Sequence, residues 1–202
     1  MTELIEVPLQ RADGSFVTAT LVLGVDETYA ARTDDAWLTY LAAWKAERIA
    51  AGVQIPALQH EHWRWREKLA ITANLLPYLT VSLELNGESQ GLILYASDGH
   101  FARLEKQKTS PLVYVEFLAA APWNSRDVLV APHYAGVGTL LMRVAVQASI
   151  DFEFKGRLGL HSLPQSEGFY RRLGMTEVGP DPDKENLTYF EFSADSANAF
   201  IS

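Results

Sequence analysis

The sequence predicts a mixed α+β fold: a central, twisted, mixed sheet flanked by helices in three layers, forming one domain over residues 1–202. Three observations predict it. From residue 78 onward the apolar pattern switches between a period of two and a period of 3.6, giving the order strand, strand, strand, helix, strand, helix, strand, strand. Residues 131–150 open on the turn Ala135-Gly136-Val137-Gly138-Thr139. They continue with Val137, Leu140, Leu141, Val144, Ala145 and Ala148 on one helical stripe. The 202 residues are 48% hydrophobic and 11% aromatic, enough to build a real core.

Taken in order, residues 4–10 and 15–24 read as strands around an Asp13-Gly14 turn, and the second is rich in β-branched residues. Thr33-Asp34-Asp35 reads as a cap for a helix over residues 36–51, with Trp37, Leu41, Trp44 and Ile49 at helical spacing and Gly52 at its end. After Pro56 a second helix is expected over residues 58–74. Strands 78–86 and 89–97 flank Asn86-Gly87, the strongest hairpin turn in the chain. Residues 98–110 are polar and read as loop. Residues 112–121 form a long apolar strand interrupted by Glu116. Past the glycine turn and its helix come a strand at 157–162, a helix at 165–173 stopped by Gly174, a strand at 175–178, a loop at 180–183 and a last strand at 187–192. A boundary near residue 75 separates the N-terminal hairpin and helices (1–75) from the core (76–193).

Composition narrows the chemistry. The chain has no cysteine, which excludes disulfides, thiolate nucleophiles and Cys-based zinc sites, and no metal site is expected. A net charge of −8 argues against general nucleic-acid binding. No apolar run is long enough to span a membrane, and no leader pattern opens the chain, so a cytoplasmic protein is expected.

The turn before the helix aims backbone N–H groups and the positive helix end at one point, which suits a phosphate. A Walker loop would need Lys before Thr139, and a dinucleotide fingerprint would need Gly where Leu141 stands. A turn that merely leads a loop into a helix is the alternative for this segment alone. His133-Tyr134-Ala135-Gly136-Val137-Gly138 resembles the pyrophosphate loop of the GNAT family of acyl-CoA-dependent N-acetyltransferases, with His133 where Gln or Arg is usual. Phe169-Tyr170-Arg171-Arg172-Leu173-Gly174-Met175 resembles a second motif of that family, with Met175 in place of Phe. Both lie on the right elements in the right order, and the resemblance covers residues 78–193.

The resemblance implies an acetyltransferase that passes the acetyl group of acetyl-CoA to an amine by direct attack in a ternary complex. It assigns the loop His133, Tyr134, Ala135, Gly136, Val137, Gly138 and Thr139 to the pyrophosphate. It assigns Phe117, Leu118 and Ala119 to the pantetheine arm, in the cleft where two parallel strands splay. Glu116 is the implied base and Tyr170 the implied acid. Burial of Glu116 in an apolar strand would raise its pKa toward a useful range, although pairing with a core cation is the alternative. Trp63, Tyr95 and His161 are candidates for the acceptor site, with His60, His62 and Trp65 nearby in sequence or pattern. The expected partner is a small-molecule or peptide amine, with neither nucleic acid nor membrane, and a homodimer is left open. A non-enzymatic acyl-CoA-binding or interaction module on the same fold is the rival reading. The acceptor itself is not legible.

Overall fold

The alternating patterns become strands β1 (Glu3–Arg11), β2 (Phe16–Leu23), β3 (Tyr78–Leu85), β4 (Glu88–Ala96), β5 (Val113–Ala120), β6 (Tyr134–Ala135), β7 (Leu158–Ser162), β8 (Thr176–Asp181) and β9 (Leu187–Phe192). The helices are α1 (Glu27–Ala50), α2 (Trp65–Thr72), α3 (Val137–Asp151), α4 (Glu167–Leu173) and α5 (Ala194–Ile201). This computed structural model describes residues 3–58, 61–73 and 75–202. Among the described residues the nine strands form one sheet in the order β6-β1-β2-β3-β4-β5-β7-β9-β8, in which β5 and β7 are parallel.

The chain divides into two compact units that interleave in sequence. One comprises residues 1–76, 80–92 and 119–138, and the other residues 77–79, 93–118 and 139–202.

In the first unit β1 and β2 pair in antiparallel register from Glu3↔Leu23 to Gln10↔Phe16, and β2 continues onto β3. Asn86 and Gly87 take positive φ of 53° and 80°, as a two-residue hairpin turn requires. Helix α1 starts nine residues before the expected position. Its cap is Asp26, which accepts from the Tyr29 N–H at 2.8 Å. The carboxylate expected to open α1 does other work: Asp34 accepts from the Trp65 and Arg66 N–H groups at 2.9 and 3.0 Å, so one helix caps the next. Ala30, Thr33, Trp37 and Trp44 form the buried face of α1, and Trp37 meets Trp65 edge to face. Ile49, expected on that face, is exposed. The helix expected over 58–74 is limited among the described residues to α2: Glu61 and His62 form a turn, and Arg64 is extended.

In the second unit the parallel register of β5 and β7 spans Val113↔Leu158, Tyr114↔Gly159 and Val115↔Leu160. Strand β9 then pairs with β7 and β8 in antiparallel fashion. Side chains alternate across a strand, so this register sorts the sheet into two faces. Val113, Val115, Leu158, Leu160, Phe190 and Phe192, all buried, share one face. There Phe190 meets Tyr170 of α4 and Phe192 stacks on Phe200 of α5. Tyr114, Glu116, Gly159, His161, Tyr189 and Glu191 share the other face. Gly159 is required here because a Cβ would collide with the Tyr189 hydroxyl. Two elements differ from expectation. Strand β8 runs on through Pro180 and Asp181 past a bulge at Glu177/Gly179, where a loop was expected. Helix α5, unanticipated, is nucleated by a capping box between Ser193 and Ser196.

Candidate active site

Strand β5 is buried from Val113 to Val115, then half-exposed at Glu116, Phe117 and Leu118, then buried again at Ala119. The exposed stretch begins where the parallel register with β7 ends, although β5 continues to Ala120. Glu116 approaches from the polar face, whereas Tyr170 packs against Phe190 on the apolar one. Burial pushes the Glu116 carboxyl above its ordinary value, and Lys184 opposes the rise. Burial likewise holds the proton on the Tyr170 phenol.

Around Glu116 the polar face carries a connected network. His100 Nε2 lies 3.9 Å from Glu116 Oε1, and its ring stacks on Tyr114 at 4.3 Å. The Tyr114 oxygen is 2.6 Å from His161 Nδ1, and His161 Nε2 is 2.9 Å from Asp181 Oδ2. Asp181 also accepts from Arg103 at 2.6 Å. The hydrogen bonds from Arg103 and then His161 hold the Asp181 carboxyl down to about 2. Its stabilising effect is therefore complete above the ordinary aspartate value of 3.8 and fades as pH falls toward about 2. Glu191, fully buried, accepts from the backbone N–H groups of Arg103 and Leu104, from Gln107 Nε2 and from the Tyr189 hydroxyl, at 2.7, 3.2, 2.7 and 3.1 Å. That carboxylate ties the segment carrying His100 and Arg103 to the sheet.

The glycine turn is positioned within the first unit. Tyr134 and Ala135 pair with Arg11 and Gln10 of β1. Ala12 N–H donates to the His133 carbonyl at 3.0 Å, and His133 N–H donates to the Trp123 carbonyl at 2.9 Å. Asn124 Oδ1 accepts from the Tyr134 N–H at 3.1 Å. The Asn124 amide in turn donates to the backbone and side-chain oxygens of Gln90, at 3.1 and 3.0 Å, and Trp123 Nε1 donates to the same side-chain oxygen at 2.8 Å. Gly136, at φ 77°, turns the chain into α3 with open space where a Cβ would stand. Asn124→Ala is expected to cost about 1–2 kcal/mol, because it unpairs the Tyr134 N–H and removes two hydrogen bonds to Gln90, whose oxygens keep only those from Trp123 and Ala121. Urea denaturation measures this, and a cost below about 0.5 kcal/mol would show that the brace is idle.

A cavity in the same unit is lined by Asp34, Trp37, Trp63, Trp65, Ala119 and Ala120, among others. Trp63 carries the Lys68 ammonium over its ring at 4.5 Å.

Neither a family profile nor a curated protein sequence matches the chain. Solved structures do match. A bacterial toxin is 11% identical with a TM-score of 0.55, over 98% of this chain and 95% of that one. Mycobacterium smegmatis RimJ in complex with CoA-disulfide is 16% identical with a TM-score of 0.52, over 98% and 93%. The aminoglycoside acetyltransferase AAC(6')-Ib, in complex with coenzyme A and kanamycin, is 17% identical with a TM-score of 0.50, over 90% and 99%. The chain has the GNAT fold. It spans 64% of the length of a Bacillus anthracis structure in complex with acetyl coenzyme A, at a TM-score of 0.42.

On the GNAT fold, the parallel strands at which the resemblance puts the cosubstrate are β5 and β7. The structure brings Glu116, Tyr114 and His161 together on one sheet face. His161 was expected to meet substrate, yet both its ring nitrogens are engaged within the protein. Trp63 lines the cavity beside Ala119 and Ala120. Tyr95 is buried, and its hydroxyl, pushed up to about 12 by burial, faces Asp151 at the last position of α3. At 1.5 Å per residue that is about 20 Å along the helix from the end the glycine turn opens. His62 is exposed, and His60 lies outside the described residues. Among the described residues no group of three or more His, Asp or Glu is disposed to hold a metal ion, and no helix is long and apolar enough to cross a membrane. Sequence reading missed His100, Arg103, Asp181, Gln90 and Asn124. It had a signal for Tyr114, which stands two residues from Glu116 and so shares its face.

Proposed function

We propose that the protein is an N-acetyltransferase that moves the acetyl group of acetyl-CoA to an amine by direct attack. The observation that carries this reading is the opening in β5 at Glu116, Phe117 and Leu118, beside the three-pair parallel register with β7. An extended thioester arm fits such an opening through the backbone groups of Phe117, Leu118 and Ala119. The His133 to Thr139 turn, where Gly136 leaves room and the helix dipole favours negative charge, suits a pyrophosphate.

In the reaction the amine gives up a proton to Glu116, and its lone pair forms the new N–C bond at the acetyl carbonyl. The C–S bond breaks, and the departing sulfur takes its proton from the Tyr170 hydroxyl. The opposite sheet faces of the two side chains suit this division, with base and acid on either side of the thioester. The thioester is already activated, so positioning and proton transfer meet the chemical demand. The acceptor we propose is a small-molecule or peptide amine. The kanamycin bound by one structural neighbour is an amine of that kind. A chain without cysteine suits a reducing, cytoplasmic setting.

Acetyl-CoA is expected to raise the melting temperature, since a ligand that binds only the folded state stabilises by about 2.7 kcal/mol at a hundredfold excess over its Kd. Gly138→Val should abolish that rise and leave a folded protein, because the added side chain takes up space beside the turn. Differential scanning fluorimetry with millimolar acetyl-CoA decides it. No shift in the parent sinks the cosubstrate assignment. An unchanged shift in the variant makes the turn purely structural.

A further inference from the structure

On the polar face of the second unit, exposure grades from sealed to open. The side chains of His161 and Asp181 are 4% and 9% exposed, whereas those of His100 and Glu116 are 32% and 23% exposed. We propose that His100 and Glu116 form a carboxylate–imidazole dyad that takes the amine proton, and that Asp181, His161 and Tyr114 are the positioning residues that hold His100 in place. The proposal rests on the acetyl-transfer reading above and adds the route of the proton.

The hydrogen-bond chemistry fixes the direction of the sealed chain. A carboxylate only accepts, so His161 Nε2 carries a hydrogen toward Asp181. The Nδ1 atom of the neutral ring must then accept, and Tyr114 donates its hydroxyl hydrogen to it. Burial keeps His161 neutral, against the pull of Asp181, and keeps the Tyr114 proton on oxygen. Tyr114 is thus pinned at its hydroxyl end, and its ring is a fixed platform. His100 lies flat on that platform, with 11° between the ring planes, and its Nε2 edge points to Glu116.

Charges facing His100 are Asp98, Arg103, Glu116, Lys184 and, when protonated, His161. Burial, followed by Lys184, lowers the His100 pKa, while burial raises that of Glu116. The two shifts run toward each other, which eases transfer between the two groups. The resting His100 ring carries its hydrogen on Nδ1; the ammonium proton forms an O–H bond at Glu116 and passes to Nε2, the Nδ1 hydrogen leaves to water, and exchange with water returns the ring to its Nδ1–H form. Glu116 returns to carboxylate and His100 to a neutral ring. The resting separation of 3.9 Å is longer than a hydrogen bond, and such contacts tighten when substrate is bound.

Two measurements test this. In the first, imidazole NMR follows the titration of His100 without substrate, in the parent and in Glu116→Gln. Loss of a carboxylate about 4 Å away should lower the His100 midpoint by about 0.7 in pH or more. An unmoved midpoint overturns the dyad. In the second, kcat/KM is measured for His100→Gln, Glu116→Gln and the double variant. A dyad acts as a unit, so the double variant should lose no more than the worse single one, whereas multiplying losses overturn it. Tyr114→Phe should lower kcat, leave KM in place and displace the acid limb of the pH profile, and a parent-like profile overturns the positioning role. If the parent acetylates no amine, the acetyl-transfer reading fails, while the NMR titration still decides the dyad.

Discussion

Tyr170→Phe is expected to slow turnover by roughly the 10²–10⁴ typical of a lost general acid, with little change in folding or in acetyl-CoA binding. One hydroxyl is removed and the ring contact with Phe190 is kept. Glu116→Gln should cost a similar order, but with a different pH signature. The base is needed only while the amine carries its proton, so the loss should shrink as pH rises from 6 to 9 and more amine is already neutral. In the parent, the raised pKa of Glu116 means that the carboxylate form is lost at a higher pH than for an ordinary glutamate, which moves the acid limb upward. Measurement of kcat/KM across that range, with an amine found by screening CoA release, checks both. Parent-like rates in both variants would leave catalysis to positioning and water alone. Acetyl-CoA binding without CoA release for any amine would favour a binding module on the same fold.

Glu191→Ala is expected to be strongly destabilising. The carboxylate is fully buried and receives four hydrogen bonds, two of them from backbone N–H groups of the segment after Phe101. Its removal strands those donors and should cost about 3 kcal/mol, or roughly 6–12 °C in Tm for a chain of this size. Glu191→Gln should recover part of the loss, because its carbonyl still accepts. Activity should fall in the alanine variant even though Glu191 sits behind Arg103, since the anchored segment carries His100. Urea denaturation with a parallel activity assay checks this, and a cost under about 1 kcal/mol would show that the segment is held by other contacts.

The strands were legible because alternation survives in a half-buried sheet: 187–192 was read without error, and Asn86-Gly87 announced its hairpin. The glycine turn and α3 were legible because their signals are local. What escaped depends on partners far away in sequence. Asp34 looks like a cap for the helix that follows it, yet its carboxylate reaches 31 residues ahead to Trp65. Arg103 and Asp181 are 78 positions apart, and Asp181 stands beside prolines that suggest loop. No periodicity encodes such a pairing. Helix α5 escaped for the opposite reason: it is a short element whose capping serines resemble ordinary loop residues until Ser196 closes the box.

The way the glycine turn is held bears on how such a sequence can change over evolutionary time. At His133 the anchors are the main-chain carbonyl and N–H, answered by Ala12 and Trp123, while the imidazole itself projects into solvent. The loop's shape is thus inherited from neighbouring backbone and from two amide side chains elsewhere, Gln90 and Asn124. Substitutions at position 133 are accordingly cheap, and mutational drift there can erase the sequence signature of the loop while its geometry persists. Selection would be felt instead at Gln90 and Asn124, residues that a motif written around the glycines does not include.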